Sequence, residues 1–235
     1  MTPRDQTKMF KLAKYHIWLG WLIGVPLLLW TASGLFMVAQ PIETIRGNHL
    51  KAAPMAIAPI TPVAPLLEGR PVQKLALEQR AAGPVWVIQY QDGGLRRADP
   101  ESGKLLPVVA APEARVLAES YFTGSAKIVS VTRTDADNPP MDLRRSRPAW
   151  QVNYDDGTNL YIDADTGAAL ATRTDMWRIF DFMWGLHIMD LQTREDTSHP
   201  ILIFFSALAF FSTIVGIILL FRKRKAKIGH KESRK

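Results

Sequence analysis

The sequence predicts an α+β membrane protein in which two transmembrane helices flank one domain built of two units, each a helix plus an antiparallel β-sheet. Three observations predict it. Residues 17–38 and 200–221 are uncharged, apolar runs of 22 residues each. Lysine and arginine crowd the outer flank of both runs. Between the runs, one β-patterned stretch occurs twice.

At 1.5 Å per helical residue, a run of this length spans about 33 Å, enough for a hydrocarbon core of about 30 Å. Segment 1–16 carries Arg4, Lys8, Lys11 and Lys14, and the tail 222–235 carries eight cations. Such residues mark the cytoplasmic ends of spans, so both termini are expected in the cytoplasm and the domain on the far side. The first 15 residues hold a net +3 and the last 14 a net +7, which leaves −3 for the rest of a chain whose total is +7. The basic balance therefore belongs to the tails, where anionic lipid accounts for it, and nucleic-acid binding is excluded. The first run exceeds the apolar core of a signal peptide, about 7 to 15 residues, and reads as an uncleaved signal anchor. The absence of cysteine excludes thiolate metal sites, cysteine-bound iron–sulfur clusters and thiol catalysis.

The first unit, 41–110, is expected to hold a short helix near 63–68, a strand near 72–77 and a hairpin. That hairpin carries the repeat: residues 84–103 align without gaps with 148–167, with seven identities over twenty positions. Trp86, Ile88 and Tyr90 alternate as do Trp150, Val152 and Tyr154, placing each trio on one strand face. Asp92-Gly93 and Asp156-Gly157 then supply a tight turn, since glycine tolerates positive φ. Each copy closes on an acidic-glycine turn, Asp99 to Gly103 and Asp163 to Gly167.

In the second unit, 111–174, Ala114, Leu117, Ala118, Tyr121 and Phe122 share a helical face, with Pro112 suited to the first turn and Gly124 beyond the last. A strand at 127–134 follows. Loop 135–147 holds Arg144, Arg145 and Arg147, which could serve an anionic partner, but a solvated loop is the better reading. Asp163, Asp165 and Thr166 only loosely suggest calcium ligation, and a turn is the better reading because no further acids stand at the required positions and the other copy reads Asp99-Pro100-Glu101-Ser102-Gly103. Segment 175–199 opens with an aromatic-rich amphipathic stretch, expected as a helix lying in the membrane interface, where tryptophan is favoured. Asp190, Arg194, Glu195 and Asp196 are expected to form a salt-linked turn after it.

A helix, a strand and an Asp-Gly hairpin closed by an acidic-glycine turn resemble the PepSY domain. With His16-Ile17-Trp18-Leu19-Gly20, Trp30-Thr31-Ala32-Ser33-Gly34-Leu35 and Trp184-Gly185-Leu186-His187-Ile188-Met189-Asp190, nearly the whole chain resembles the PepSY-associated transmembrane proteins of bacterial inner membranes. The resemblance implies an inner-membrane protein with two periplasmic PepSY-like units. It also implies links to iron or siderophore uptake, or to modulation of a periplasmic enzyme such as a protease. Some larger relatives with more helices contain haem that reduces ferric chelates, and this chain departs from them in having only two expected transmembrane helices.

Haem b needs two axial ligands on opposite faces of one iron. His16 falls at the cytoplasmic end of the first helix, whereas His49, His187 and His199 fall on the far side, so His16 and His187 of one chain are not expected to share a haem. The remaining haem or metal arrangements are a His16 pair across a homodimer, ligation with a partner protein, or a far-side site drawn from His49, His187 and His199. The plainer reading makes His187 a polar tip bonded to Asp190 or backbone, and His199 a cap before Pro200. Gly20 with Gly24, and Ser212 with Gly216, form small-xxx-small packing faces for each other, a second copy or another membrane protein. Neither run holds an ionisable residue, which argues against a transporter or proton pump. Pro26 is expected to kink the first helix. With no nucleophile–base pair, phosphate loop or zinc-protease motif, the sequence favours a non-enzymatic accessory protein without a cofactor. Its partners are the bilayer and a membrane or periplasmic protein or peptide, and a haem-bearing redox component is the alternative.

Overall fold

A computed structural model describes residues 3–232, with side chains over 7–222. The chain forms two compact units: one joins the chain up to Ala39 to the chain from Phe180 onward, and the other is Gln40–Ile179.

The first unit contains helix α1, Pro3–Val38, and helix α5, Pro200–Glu232. Within them, Thr7–Val38 and Pro200–Arg222 are long and apolar enough to cross a membrane. α1 stays helical through Pro26. Ile23 of α1 and Ser212 of α5 are buried, and His16 of α1 meets Ser212 and Gly216 of α5, small residues of the kind that let membrane helices approach closely.

The Gln40–Ile179 unit begins with a single helical turn, α2, Ile42–Ile45, and a 3-10 turn at Asn48–Leu50. Strands β1, Val72–Arg80, β2, Gly83–Tyr90, and β3, Leu95–Ala98, form an antiparallel sheet in that order. Helix α3, Ala111–Tyr121, leads to β4, Ile128–Thr134, β5, Ala149–Tyr154, β6, Asn159–Asp163, and β7, Ala169–Arg173, a second antiparallel sheet in chain order. Helix α4, Asp175–Ile188, leaves this unit.

The duplication is visible in the register. Trp86 pairs with Ala98, and Trp150 with Ile162, which stands at the same offset. Val72 faces Tyr90 and Ile128 faces Tyr154, each just ahead of a bulge. Tyr90 N donates to Gly94 O, and Tyr154 N to Thr158 O, both at 2.9 Å. Gly93 and Gly157 carry φ of +83° and +81° in these turns, the left-handed region that glycine adopts without steric cost. Each tryptophan also ties the hairpin to the chain ahead of it: Trp86 Nε1 donates to Val63 O and Trp150 Nε1 to Val109 O, both at 2.8 Å.

Two expectations are corrected. No helix forms near 63–68; the chain there is extended, and Val63 N and Leu66 N donate to Pro100 O and Gly103 O across the acidic-glycine turn. Pro54, Pro59, Pro62, Pro65 and Pro71 explain this, because each removes a donor and disfavours helical backbone at the residue before it. The expected helix-plus-sheet composition therefore holds for the second unit alone. There α3 buries Ala114, Leu117 and Ala118 against Val152, Tyr154, Leu160 and Ile162. The second correction is an added strand. β7 completes the second sheet, whereas its counterpart beside β3 shrinks to one bridge, Ala98 to Leu105, because Pro107 has no N–H to extend a ladder.

Loop 135–147 is not simply solvated. Leu143 is fully buried with Ala149, Tyr161 and Ala171, and Arg147 pairs with the buried Asp163 at 2.6 Å.

Candidate functional site

His187 sits near the end of α4 and its ring lies against α1. Trp30 Nε1 donates to His187 Nε2 at 2.9 Å. An indole N–H can only donate, so Nε2 carries the lone pair and Nδ1 the proton. Nδ1 then faces Trp30 O and Ser33 Oγ, each at 3.2 Å. Gly34 makes room for this: a Cβ there would come within 3.1 Å of the imidazole. Sequence reasoning expected Asp190 or backbone as the partner of His187. Backbone is indeed one partner, but the Trp30 indole takes the place assigned to Asp190.

His16 makes a similar station elsewhere on α1. Its Nδ1 lies 3.2 Å from Ser212 Oγ, and a Cβ on Gly216 would come within 3.3 Å of its Nε2. The Ser212 and Gly216 face thus receives a histidine of α1. Among the described residues, nothing comes within 4 Å of the Cβ positions of Gly20 and Gly24, so these do not use that face between α1 and α5.

The two histidine stations lie far apart along α1. Along α1, His16 and the Trp30 and Ser33 contacts of His187 are 14 to 17 residues apart, about 21 to 26 Å of helix. An axial nitrogen sits about 2 Å from its metal, and Nε2 of His187 is already an acceptor for Trp30. The pair does not fit one haem within a chain. Among the described residues, no group of three His, Asp or Glu could hold a metal ion. His49 is exposed, with its carbonyl accepting from Thr123 Oγ1 at 3.4 Å, and His199 O accepts the α5 bond from Ile203 N at 3.1 Å.

The expected salt-linked turn after α4 is built differently. Asp190 accepts from the backbone N–H groups of Gln192, Thr193, Glu195 and Asp196 and from the Thr193 hydroxyl. The Thr193 hydroxyl first, and then the backbone bonds, hold its carboxyl below the usual range. Arg194 instead pairs with Asp181 of α4 at 2.7 Å. Four backbone donors converging on one carboxylate leave no place for the arginine there.

In the Gln40–Ile179 unit, the two repeats meet at the turn Asp163 to Gly167. Asp163 Oδ1 caps it, accepting from Asp165 N, Thr166 N and Thr166 Oγ1. Burial first, and then Asp163, raise the carboxyl of Asp165 above its ordinary value. Arg80, at the end of β1, reaches across to Thr166 O at 3.2 Å while pairing with Glu78 at 2.7 Å. Tyr121 OH donates to Gly167 O at 3.2 Å. Arg97, buried on β3, donates to Pro107 O and forms a two-pronged pair with Glu113 of α3.

Arg80, Arg97 and Glu113 help to line an open groove of about 360 Å³, whose apolar lining includes Pro84, Val116 and Leu117. Sequence reasoning singled out Trp86, Tyr90, Trp150 and Tyr154 as repeat core; Tyr90 and Tyr154 are buried, and both tryptophans donate to backbone. Asp92 and Asp156 accept from Gly94 N and Thr158 N, both at 2.9 Å, closing the turns made by Gly93 and Gly157. It missed Arg80 and Arg97. The available signal was Arg97 standing where the repeat places Tyr161, an inward position.

The model of one protein family, described as the PepSY-associated TM region, matches residues 13–235. No curated protein and no solved structure matches the chain.

Proposed function

The chain belongs to the family of PepSY-associated transmembrane proteins, and from that premise we propose that it is a non-catalytic membrane accessory protein whose Gln40–Ile179 unit binds a protein or peptide partner. The observation that carries this reading is the groove beside the junction of the repeats. Buried, ion-paired Arg80 and Arg97 fix its walls, and Val116 of α3 remains 55% exposed at its edge. A rigid concave surface that joins apolar lining to a few polar groups is what an apolar peptide segment needs. In this reading the cations flanking both spans keep the termini cytoplasmic and the unit in the periplasm of a bacterial inner membrane. Iron or siderophore acquisition, or modulation of a periplasmic enzyme, is the process it serves.

The test places a photo-crosslinking residue at Val116 or, as control, at Val129, which is exposed on β4. A discrete adduct from Val116 alone is expected in the native membrane. The protein so identified should bind the purified full chain about tenfold more weakly after Val116→Glu, since a charge facing an apolar partner costs at least 1.4 kcal/mol. Identical adduct patterns from both positions would overturn the reading.

A further inference from the structure

The chain leaves the Gln40–Ile179 unit at two points, and one basic surface lies beside both. Arg46 and Lys51 come 6 and 11 residues after Gln40, and Arg173 and Trp177 come 6 and 2 residues before Ile179. Tertiary packing joins these segments: Gly47 is pressed so closely to Thr172 that a Cβ would come within 3.0 Å of its methyl group.

Loop 135–147 delivers two further cations to the same place. Buried Leu143 anchors it, and Arg173 Nε donates to Asp142 O at 2.6 Å. The guanidinium carbons of Arg173 and Arg144 lie 4.2 and 5.8 Å from the centre of the Trp177 ring. The nearby acids are already engaged: Asp142 with Tyr161, Asn159 and Arg178, Asp175 with Arg178, and Glu43 with Asn48. Burial lowers the Lys51 ammonium from its ordinary value, and Arg173 and Arg46 lower it further against the opposing pull of Glu43. Burial does the same to Arg173, partly offset by Asp142, with Arg144 and Arg145 adding to the lowering. Like charges gathered and partly desolvated in this way gain from an anion among them. Exposed Met176 and Ile179 of α4 extend this surface with apolar side chains.

We propose that Arg46, Lys51, Arg144, Arg145 and Arg173 bind the phosphodiester headgroup of an anionic phospholipid, while Trp177, Met176 and Ile179 meet its upper acyl region. Two features favour lipid over a soluble phosphate. Tryptophan and apolar side chains stand beside the cations, as at membrane–water interfaces. Arg46 also follows the end of the membrane-spanning α1 by eight residues, at most about 28 Å of chain.

The test uses the full chain in nanodiscs of phosphatidylcholine alone, or with about one third phosphatidylglycerol, and follows hydrogen exchange in peptides covering 140–147 and 171–179. Exchange there is expected to slow in the anionic discs. Each surface cation contributes roughly a fivefold gain in affinity, so Lys51→Gln with Arg145→Gln should cost about twenty-fivefold and abolish the slowing. The charge-conserving pair Lys51→Arg with Arg145→Lys should keep it, as should the control pair Lys74→Gln with Arg115→Gln. Equal exchange in both discs would overturn the proposal, as would slowing that survives Lys51→Gln with Arg145→Gln. Millimolar inorganic phosphate on neutral discs should do nothing; if it reproduces the slowing, the ligand is a soluble anion and the lipid assignment fails.

Discussion

Trp30 donates its indole N–H to Nε2 of His187 over 2.9 Å, so a residue of the membrane-spanning α1 fixes both the tautomer and the orientation of a histidine on α4. The bond fastens α4 to α1 within the first unit. Replacing Trp30 by Phe keeps the ring and removes the donor. We expect a loss of about 1 kcal/mol in detergent, in line with hydrogen bonds between membrane helices. A cycle with His187→Ala should show coupling of similar size; additive losses would mean the bond is not formed in solution.

Trp150→Phe and Trp86→Phe each remove a donor from a backbone carbonyl. Val109 is fully buried, whereas the Trp86 bond to Val63 O is exposed, so Val109 O loses its partner out of reach of water. The Trp150 change should cost about 2 kcal/mol and the Trp86 change under about 1 kcal/mol in thermal unfolding of the full chain.

Gly103 and Gly69 share a φ of +71°, but only Gly103 is crowded. A Cβ at Gly103 would lie 2.5 Å from Ala64 O, while at Gly69 nothing comes within 4 Å. Gly69→Ala should cost about 1 kcal/mol through backbone strain alone. Gly103→Ala should cost at least about twice that and loosen the 63–66 segment, as read by hydrogen exchange at Val63 and Leu66.

Asp190 gives a pH signature. Its carboxyl titrates below the ordinary 3.8, chiefly through the Thr193 hydroxyl and the backbone donors around it. A depressed folded value means that its contribution is full above 3.8 and is lost as pH falls through the lower folded value. The carboxyl resonance of Asp190 should therefore keep its ionised shift below pH 3.8. Thr193→Val should move the midpoint upward; an unchanged midpoint would exclude the hydroxyl as the leading cause.

Local signals made much of the architecture legible in advance. Both hairpin turns follow from Asp-Gly pairs, and α3 follows from the spacing of Ala114, Leu117 and Ala118 behind Pro112. No helix forms near 63–68 because Pro62 and Pro65 remove donors and disfavour helical backbone at the residues before them. Arg80, Arg97 and the Trp30–His187 bond were out of reach for a different reason: their partners lie 86, 16 and 157 residues away, and no periodicity encodes such a pairing.

By itself the sequence determined two apolar spans, the cationic flanks beside them, and a duplicated hairpin, because hydrophobicity, charge and turn chemistry act over a few residues at a time. Only the tertiary structure decided that the second sheet gains a strand where the first stops at Pro107. It alone set the histidines of α1 and α4 at separate stations, and gathered Arg46, Lys51, Arg144 and Arg173 on one surface. Those outcomes depend on which distant donors, acceptors and volumes meet once the chain has closed on itself.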